Sequence, residues 1–300
     1  SFHGLGAATV NARPILPANK ERAAAHCHRT AVNLHIDTSS PMANYILTSN
    51  RSSVRTITLN RPEVFNSFNR EMGKAFQQAL DDAAADSSVR CVVITGTGRA
   101  FCAGQDLKEV TAPDAPDFTV IVEETYNQSV RRIRSMEKPV IGALNGVAAG
   151  AGANIALACD LVVAKESASL IQAFSKIGLI PDSGGTWFLP RMVGMQRAAA
   201  LAFFGDKLPA KEAVELGLIY RAIDDEAFNE ELEKLGDRLA ALPTRGIGLT
   251  KKAFNASWNH PLTEHLTFER DLQMEASQTD DYQEGVAAFL EKRSPQFTGQ

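Results

Sequence analysis

Apolar runs that suit buried strands alternate along this chain with segments whose apolar residues recur at helical spacing. CVVIT begins at Cys91, VIGAL at Val140 and DLVVA at Asp160, each a short continuous run of the kind found in strands covered on both faces. Two earlier segments, YILTSN from Tyr45 and VRTITLN from Val54, predict two further strands. Because apolar strands alternate with amphipathic helices, the pattern predicts an α/β layered fold.

The helical segments are marked by apolar residues on one face. Asn69 is suited to cap a helix whose apolar stripe follows the i, i+3, i+4 spacing. That stripe consists of Met72, Ala75, Phe76, Ala79, Leu80 and Ala83. A second stripe consists of Phe118, Val122, Tyr126, Val130 and Ile133. Beyond Asp182 the chain is mostly helical, with a helix start predicted at Pro209 and breaks at Pro243 and Pro261.

Residues 1–41 lack the periodicity that marks the rest of the chain. The segment is poor in acids and carries four basic residues, Arg13, Lys20, Arg22 and Arg29. That composition suits a targeting segment, but a disordered extension or a cloning or gene-start artefact is favoured. The patterned chain is predicted to form a core over residues 42–240 and a C-terminal helical region over 241–300.

Composition and charge narrow the class of protein. The chain is 44% hydrophobic and 22% charged, with a net charge of −4 and no basic stripe that would favour nucleic-acid binding. No apolar run reaches the roughly 18–20 residues of a membrane helix. The four cysteines lack metal-site spacing, and Cys91 and Cys159 adjoin apolar runs as buried thiols would. We therefore expect a cytoplasmic protein without metal, membrane or nucleic-acid partners.

Two segments rich in small residues follow predicted strands, Phe101–Leu107 (FCAGQDL) and Asn145–Asn154 (NGVAAGAGAN). Small residues let a ligand oxygen approach backbone N–H groups, so one donor from each segment would bind a single oxyanion. The alternatives are a plain turn and close helix–strand packing. A dinucleotide-binding loop is disfavoured because Phe101 stands where the third glycine of that motif belongs.

Asp182 lies within IGLIPDSGGTWFLP, the stretch Ile177–Pro190. Apolar surroundings raise the pKa of a carboxylate, which suits a base that must also return its proton. The alternative is that Asp182 caps the N-terminus of a helix, and the local sequence alone favours the cap. A nucleophilic role for Cys102 is a further alternative, but His260 and His265 are the available activating bases and no triad motif supports it.

Four stretches in order resemble landmark stretches of the crotonase (enoyl-CoA hydratase/isomerase) superfamily: LNRPEVFNSFN, FCAGQDL, NGVAAGAGANIALACDLVVA and PDSGGTWFLPRMVG. The resemblance extends from about residue 44 to residue 300. It implies a crotonase-like (ClpP/crotonase) α/β spiral of repeated ββα units, followed by a helical region that builds trimers, often paired into hexamers. It implies an acyl-CoA substrate and no separate cofactor, because coenzyme A is part of the substrate.

The resemblance also implies roles for individual residues. Asp182 would move the proton, while Ala103 and Ala151 would supply the two oxyanion-hole N–H groups. The residues implied to border the substrate and its coenzyme A are Phe65, Ala103, Gly104, Gln105, Asp106, Leu107 and Gly150.

Departures from the superfamily pattern refine the expected activity. Hydratases of the superfamily hold the attacking water with two glutamates, and the matching positions here are Asn154 and Phe174. Isomerases with an aspartate in the Pro-Asp-x-Gly-Gly region match better. The sequence around Asp182 and the C-terminal tail most resemble the branch that converts ring-1,2-epoxyphenylacetyl-CoA to 2-oxepin-2(3H)-ylideneacetyl-CoA in phenylacetate catabolism. The alternatives are an enoyl-CoA hydratase or Δ3,Δ2-enoyl-CoA isomerase of fatty-acid β-oxidation, and a non-catalytic RNA- or protein-binding member.

Overall fold

The structure, a computed structural model, describes residues 45–300, so the predictions for residues 1–41 lie outside the described residues. Its strands are β1 (Ile46–Arg51), β2 (Val54–Leu59), β3 (Cys91–Gly96), β4 (Ala100–Cys102), β5 (Val140–Leu144), β6 (Val147–Ala149), β7 (Leu161–Lys165), β8 (Ser169–Ile171), β9 (Lys207–Pro209) and β10 (Arg221–Ile223). Its helices are α1 (Arg70–Ala85), α2 (Leu107–Val110), α3 (Phe118–Val120), α4 (Gln128–Ser135), α5 (Ala151–Leu157), α6 (Gly185–Val193), α7 (Met195–Phe204), α8 (Ala210–Glu215), α9 (Phe228–Ala240), α10 (Thr244–Ser257), α11 (Leu262–Ala276) and α12 (Asp280–Glu291).

The larger sheet contains the strands that the apolar pattern predicted. Its order is β1-β2-β3-β5-β7-β10, with β1 antiparallel to β2 and every other neighbouring pair parallel. Side chains alternate between its two faces: Val92 and Ile94 join the cluster that includes α1, whereas Cys91 and Val93 join the cluster that includes α9. Helices therefore cover both faces of this sheet, which explains why its central strands are continuous apolar runs.

The smaller sheet was not predicted from the sequence, because its strands are only three residues long. Its order is β4-β6-β8-β9, and β4, β6 and β8 run parallel, with Cys102 paired to Ala148 and Ala148 paired to Leu170. Parallel neighbours end at the same edge of a sheet. The chain segments that follow β4, β6 and β8 therefore all begin at the same edge of the smaller sheet.

Several predicted helix boundaries are confirmed. The Asn69 side chain accepts a hydrogen bond from the Met72 N–H and caps α1. The residues that immediately precede α8, α10 and α11 are Pro209, Pro243 and Pro261.

The second predicted helix differs from its apolar stripe. Residues Ile121–Asn127 form π-helical turns between α3 and α4. Such turns contain more residues than α-helical ones, so Ile121 and Thr125 are buried there although the stripe did not include them, while Phe118 stays 45% exposed. Tyr126 and Ile133, which belong to the predicted stripe, are buried. A uniform 3.6-residue period cannot anticipate the burial of Ile121 and Thr125.

Gly152 provides a test of how α5 packs on the small sheet. A Cβ at Gly152 would lie 2.5 Å from the Cys102 carbonyl oxygen and 2.7 Å from Cys102 Sγ. Because this neighbour includes backbone, we expect Gly152→Ala to lower the free energy of unfolding by about 1–3 kcal/mol, as overpacking does elsewhere. Gly246→Ala in α10 is the matched control, since its Cβ would meet Pro243 atoms only at 3.9 Å. Urea denaturation measures both, and equal stability of the two variants would contradict the packing.

Candidate active site

The ends of strands β4 and β6 touch backbone to backbone. Gly104 has φ +93°, a conformation that glycine adopts readily. A Cβ at Gly104 would lie 3.0 Å from the Ala149 carbonyl oxygen and 3.4 Å from the Ala151 nitrogen. The absence of a side chain at Gly104 therefore lets the two small-residue segments come together at the edge of the small sheet.

A cavity of about 280 Å³ opens where these segments meet the chain that follows β8. Seven residues predicted from the sequence border it: Ala103, Gly104, Gln105, Leu107, Gly150, Ala151 and Asp182. The wall also includes residues that sequence reasoning missed, namely Val110, Tyr126, Ala173, Lys176, Ile177 and Leu179. Tyr126 belonged to a predicted apolar stripe, but nothing in that pattern indicated that it faces a cavity.

Two predicted substrate-binding residues lie outside this wall. The Asp106 Oδ2 atom accepts a hydrogen bond from Arg61 Nη2 at 2.9 Å, and Oδ1 accepts from the Lys108 N–H at the start of α2. Its carboxylate is thus committed to structure. The Phe65 ring lies beneath the Arg99 guanidinium, 4.7 Å from the ring centroid. Asp106 and Phe65 therefore lie outside this cavity wall, and their place beside the coenzyme A portion stays a prediction.

The N–H groups of the first segment differ in availability. The Ala103 N–H donates to the Phe65 carbonyl oxygen at 2.9 Å, and the Gly104 N–H donates to Cys102 Sγ at 3.4 Å. A donor that already has an acceptor is a poor oxyanion ligand. The prediction that Ala103 supplies an oxyanion-hole N–H is therefore in conflict with the structure.

The Gln105 N–H is the better candidate. Phe68 donates its N–H to the Gly104 carbonyl at 2.7 Å and accepts the Asp106 N–H at 2.8 Å. These two bonds form an isolated parallel bridge between Phe68 and Gln105, in which the Gln105 N–H itself points away from Phe68. Within residues 45–300, the hydrogen bonds of the structure assign it no acceptor. Sequence alone could not decide which amide of FCAGQDL is left free.

Ala151 remains a candidate for the second donor. It is the first residue of α5, where an N–H has no intrahelical partner. Across the described part of the chain, its N–H has no assigned acceptor, whereas the neighbouring Gly150 N–H donates to the Ile171 carbonyl at 2.9 Å. The Gln105 and Ala151 N–H groups therefore lie on adjoining strand ends, and both residues border the cavity.

Asp182 does not cap a helix. The helix after it, α6, begins at Gly185 with Gly184 at the capping position, and no side chain caps it. The Asp182 Oδ1 atom instead accepts a hydrogen bond from Ser183 Oγ at 2.8 Å. The alternative interpretation of Asp182 as a helix cap is therefore wrong, and its carboxylate is left facing the cavity.

Burial raises the pKa of Asp182 from its usual value of 3.8 to about 6, against the smaller lowering effect of the Ser183 hydroxyl. Asp182 also borders a second cavity of about 350 Å³, which shares Phe118 and Leu179 with the first. The carboxylate thus lies between two cavities and titrates close to neutral pH. These are properties of a group that can both accept and return a proton.

Asn154 and Phe174 occupy the positions at which the resemblance expects acids in hydratases. Asn154 is fully buried and donates through Nδ2 to the Asp182 backbone carbonyl at 2.8 Å. Its Oδ1 atom accepts from Gln172 Nε2, also at 2.8 Å. Asn154 therefore holds the loop that carries Asp182, while Phe174 contributes an apolar ring to the cavity wall.

The cysteine alternative finds no support in the site. Cys102 is buried, and that burial raises its thiol pKa to about 12, so the reactive thiolate is not formed near neutral pH. His260 and His265 lie at the start of α11 and contact each other, with ring centroids 5.7 Å apart. As predicted, Cys91 and Cys159 are buried free thiols. Nowhere in residues 45–300 do His, Cys, Asp and Glu form a group suited to a metal ion.

Comparison with known proteins decides the family. The enoyl-CoA hydratase/isomerase family matches residues 49–300. The chain belongs to this family. The match confirms the predicted crotonase-like α/β fold and makes the protein an enzyme that acts on acyl-CoA. An enoyl-CoA hydratase from Polaromonas sp. JS666 superposes with a TM-score of 0.80 at 34% identity, covering 84% of this chain and 99% of that one.

Relatives with named activities include both isomerases and hydratases. The 1,2-epoxyphenylacetyl-CoA isomerase of Escherichia coli (strain K12) is 50% identical over 262 residues, covering 86% of this chain and 100% of the relative. The 2,3-dehydroadipyl-CoA hydratase of the same organism is 34% identical over 254 residues, covering 85% of this chain and 98% of the relative.

No helix within residues 45–300 combines the length and apolar character needed to cross a bilayer.

The raised pKa of Asp182 predicts a pH-dependent gain in stability when the charge is removed. A carboxylate whose pKa is higher in the folded state destabilises the fold progressively as pH rises from about 4 to about 6. Asp182→Asn should therefore raise the free energy of unfolding by about 2–3 kcal/mol at pH 7.5 and by little at pH 4. Denaturant titrations at both pH values measure this. Asp114→Asn, at an exposed loop residue, is the control; a gain independent of pH would contradict the burial of Asp182.

Proposed function

We propose that this protein is an isomerase that converts ring-1,2-epoxyphenylacetyl-CoA to 2-oxepin-2(3H)-ylideneacetyl-CoA. The observation that carries the proposal is the single acid of the site. Within the described residues, Asp182 is the only carboxylate in the wall of the 280 Å³ cavity. The 50% identity to the E. coli 1,2-epoxyphenylacetyl-CoA isomerase supports the choice of substrate.

The proposed reaction needs one base. The bond between the two epoxide carbons of the ring breaks in an electrocyclic opening, which gives a seven-membered oxepin without any acid or base. Asp182 then removes a proton from the methylene carbon beside the thioester, and the electron pair moves onto the thioester oxygen. When the thioester carbonyl re-forms, the ring double bond becomes exocyclic and the proton returns to the ring carbon at position 3. Substrate and product contain the same atoms.

Backbone donors would stabilise the enolate formed between the two proton transfers. The N–H groups of Gln105 and Ala151 lie on adjoining strand ends and are proposed to bind the enolate oxygen. In other enzymes, loss of one such donor lowers the rate by about 100- to 1000-fold. The coenzyme A portion would pass Ala103, Gly104 and Leu107 at the cavity wall, as part of the substrate rather than as a separate cofactor.

Hydration is disfavoured by the residues that stand in place of two acids. The Asn154 amide is occupied by the Asp182 carbonyl and Gln172, and Phe174 has no polar group to hold a water molecule. A simple Δ3,Δ2-enoyl-CoA isomerase uses the same proton shift and remains the alternative activity.

The C-terminal helices carry an apolar surface that bears on assembly. Large apolar side chains stay exposed there, among them Phe254 at 65%, Leu262 at 74% and Phe289 at 83%. Exposed apolar surface of this kind is typical of subunit interfaces. We infer a homotrimer or a dimer of trimers in the cytoplasm, with residues 241–300 forming the trimerisation region.

Asp182→Asn tests the proton shuttle. The amide cannot accept the proton, so turnover of ring-epoxidised phenylacetyl-CoA should fall by at least about 1000-fold, while the Kd of phenylacetyl-CoA stays near the wild-type value. Product formation is followed by thioester absorbance and calorimetry gives the Kd. Near-normal turnover would remove Asp182 from the mechanism.

The same assay with crotonyl-CoA and a 3-enoyl-CoA separates the activities. We expect negligible hydration of crotonyl-CoA by the wild-type protein, because Asp182 is the only carboxylate in the described cavity wall and Asn154 and Phe174 replace the two acids that would hold and activate water. Fast hydration would favour the hydratase alternative. Turnover of the 3-enoyl-CoA without turnover of the epoxide would favour a simple enoyl-CoA isomerase.

The activity should depend on pH through the ionisation of Asp182. Only the carboxylate can accept the proton, so kcat/KM should rise with pH and level off above about 7. With a pKa of about 6, kcat/KM at pH 5 should be about a tenth of its plateau. Asp114→Asn should keep the same profile. If kcat/KM stayed at its plateau down to about pH 4.5 and fell only below that pH, Asp182 would not be the titrating base.

A further inference from the structure

The side chain of Gln105 is held at both ends. Its Oε1 atom accepts a hydrogen bond from the Tyr126 hydroxyl at 2.6 Å, and its Nε2 group donates to Glu109 Oε2 at 2.8 Å. The other Glu109 oxygen, Oε1, accepts the Arg70 N–H at 2.9 Å, at the start of α1. Tyr126, Gln105 and Glu109 thus form a continuous chain of hydrogen bonds, here called the Gln105 clamp.

Both partners of Gln105 are themselves fixed. Tyr126 is only 1% exposed, packs against the Phe68 ring at 6.1 Å and belongs to the π-helical turns. Burial raises the pKa of Tyr126 far above its ordinary value, so its hydroxyl keeps the proton that it donates to Gln105. Glu109 lies on α2 and is tied to α1. The clamp therefore joins Gln105 to the π-helical turns through Tyr126 and to the start of α1 through Glu109.

The backbone at Gln105 has a freedom that the clamp can remove. Gly104 precedes it and has no Cβ, so the Gly104–Gln105 peptide is less restricted than one between two larger residues. The Phe68 N–H holds the carbonyl of this planar peptide and the Phe68 carbonyl accepts the Asp106 N–H, so two backbone bonds already set the side to which the Gln105 N–H points. They leave a tilt of the peptide about these bonds, and the Gln105 side chain is the further anchor that can restrict this tilt. Fixing it limits the directions in which the N–H can point.

We propose that the Gln105 clamp, through Tyr126 and Glu109, positions the Gln105 N–H to donate to the thioester oxygen. Tyr126 and Glu109 are positioning residues in this proposal, which rests on the proposed oxyanion role of Gln105. An oxyanion donor must already point at the oxygen before negative charge develops there. A donor that has to reorient during the reaction spends part of the free energy by which it stabilises the transition state. Small misplacements of such groups are known to cost up to about 100-fold in rate.

Tyr126→Phe removes one oxygen and retains the ring that packs on Phe68. We expect kcat to fall by about tenfold while KM stays within about twofold of the wild-type value. The direction of the Gln105 N–H affects the binding of the charged enolate oxygen more than the binding of the neutral substrate. Ser129→Ala is the matched control: it deletes a buried hydroxyl that donates to the Thr125 carbonyl close by in the chain, outside the clamp. The control should leave kcat unchanged.

Infrared spectroscopy measures how strongly the backbone N–H groups bind the thioester oxygen. The probe is phenylacetyl-CoA labelled with ¹³C at its thioester carbonyl, whose stretching frequency falls when strong donors bind the oxygen. Binding to the wild-type protein should lower the frequency, and Tyr126→Phe should remove part of that shift while Ser129→Ala retains it. A full shift in Tyr126→Phe would overturn the proposal. No shift in the wild type would instead overturn the oxyanion site itself.

Gln105→Met provides a second variant should Tyr126→Phe fail to fold. Methionine matches the length of glutamine but cannot bond to Tyr126 or Glu109. It should reproduce the loss in kcat and in infrared shift. The double variant Tyr126→Phe/Gln105→Met should be no worse than Gln105→Met alone, because both changes break one clamp. Multiplicative losses would show that the two residues act separately and would contradict the clamp.

Discussion

The geometry of the site depends on one backbone contact, between the ends of β4 and β6. Neighbouring strands lie about 4.8 Å apart. Two N–H groups at that separation can both reach one oxygen at about 2.9 Å, the usual hydrogen-bond length. A side chain between the strand ends would widen this gap. Gly104 against Ala149, and Gly152 against Cys102, keep it closed, so small residues are required here for packing and for chemistry alike.

The same sheet delivers the base, because β8 runs parallel to β6 and the chain after it leads to Asp182. The position of Asp182 favours a neutral side chain over a charged one at Asn154. Its amide donates to the Asp182 carbonyl, whereas a carboxylate there would face that oxygen with a like-signed charge. Such a charge would also push the pKa of Asp182 higher still. Neutral Asn154 therefore both holds the loop and keeps Asp182 able to ionise near neutral pH.

The long strands and α1 could be predicted because their patterns reflect burial on two faces or on one stripe. Asp182 was predicted with its position in the site, although its local sequence favoured a cap. Sequence could not correct that preference, since SGG after an aspartate suits a cap well and only the start of α6 at Gly185, with Gly184 at the capping position, shows that Asp182 is not one. The choice between Ala103 and Gln105 was also beyond sequence reasoning. It depends on which N–H pairs with Phe65, a residue 38 positions before Ala103 in the chain.

Backbone groups and side chains have different roles in the proposed reaction, and this difference explains why the site would isomerise an acyl-CoA rather than add water to it. In the proposed reaction, enolate stabilisation would rest on backbone groups, whose geometry survives most changes of side chain. The few polar side chains that can reach the carbons of the enolate would then decide which product forms. In the proposed reaction neither Phe174 nor the occupied amide of Asn154 helps to hold water, which favours return of the proton from Asp182 to a substrate carbon. Burial that raises the pKa of Asp182 makes its carboxylate a stronger base for taking the proton, while a pKa of about 6 still lets the neutral acid give the proton back.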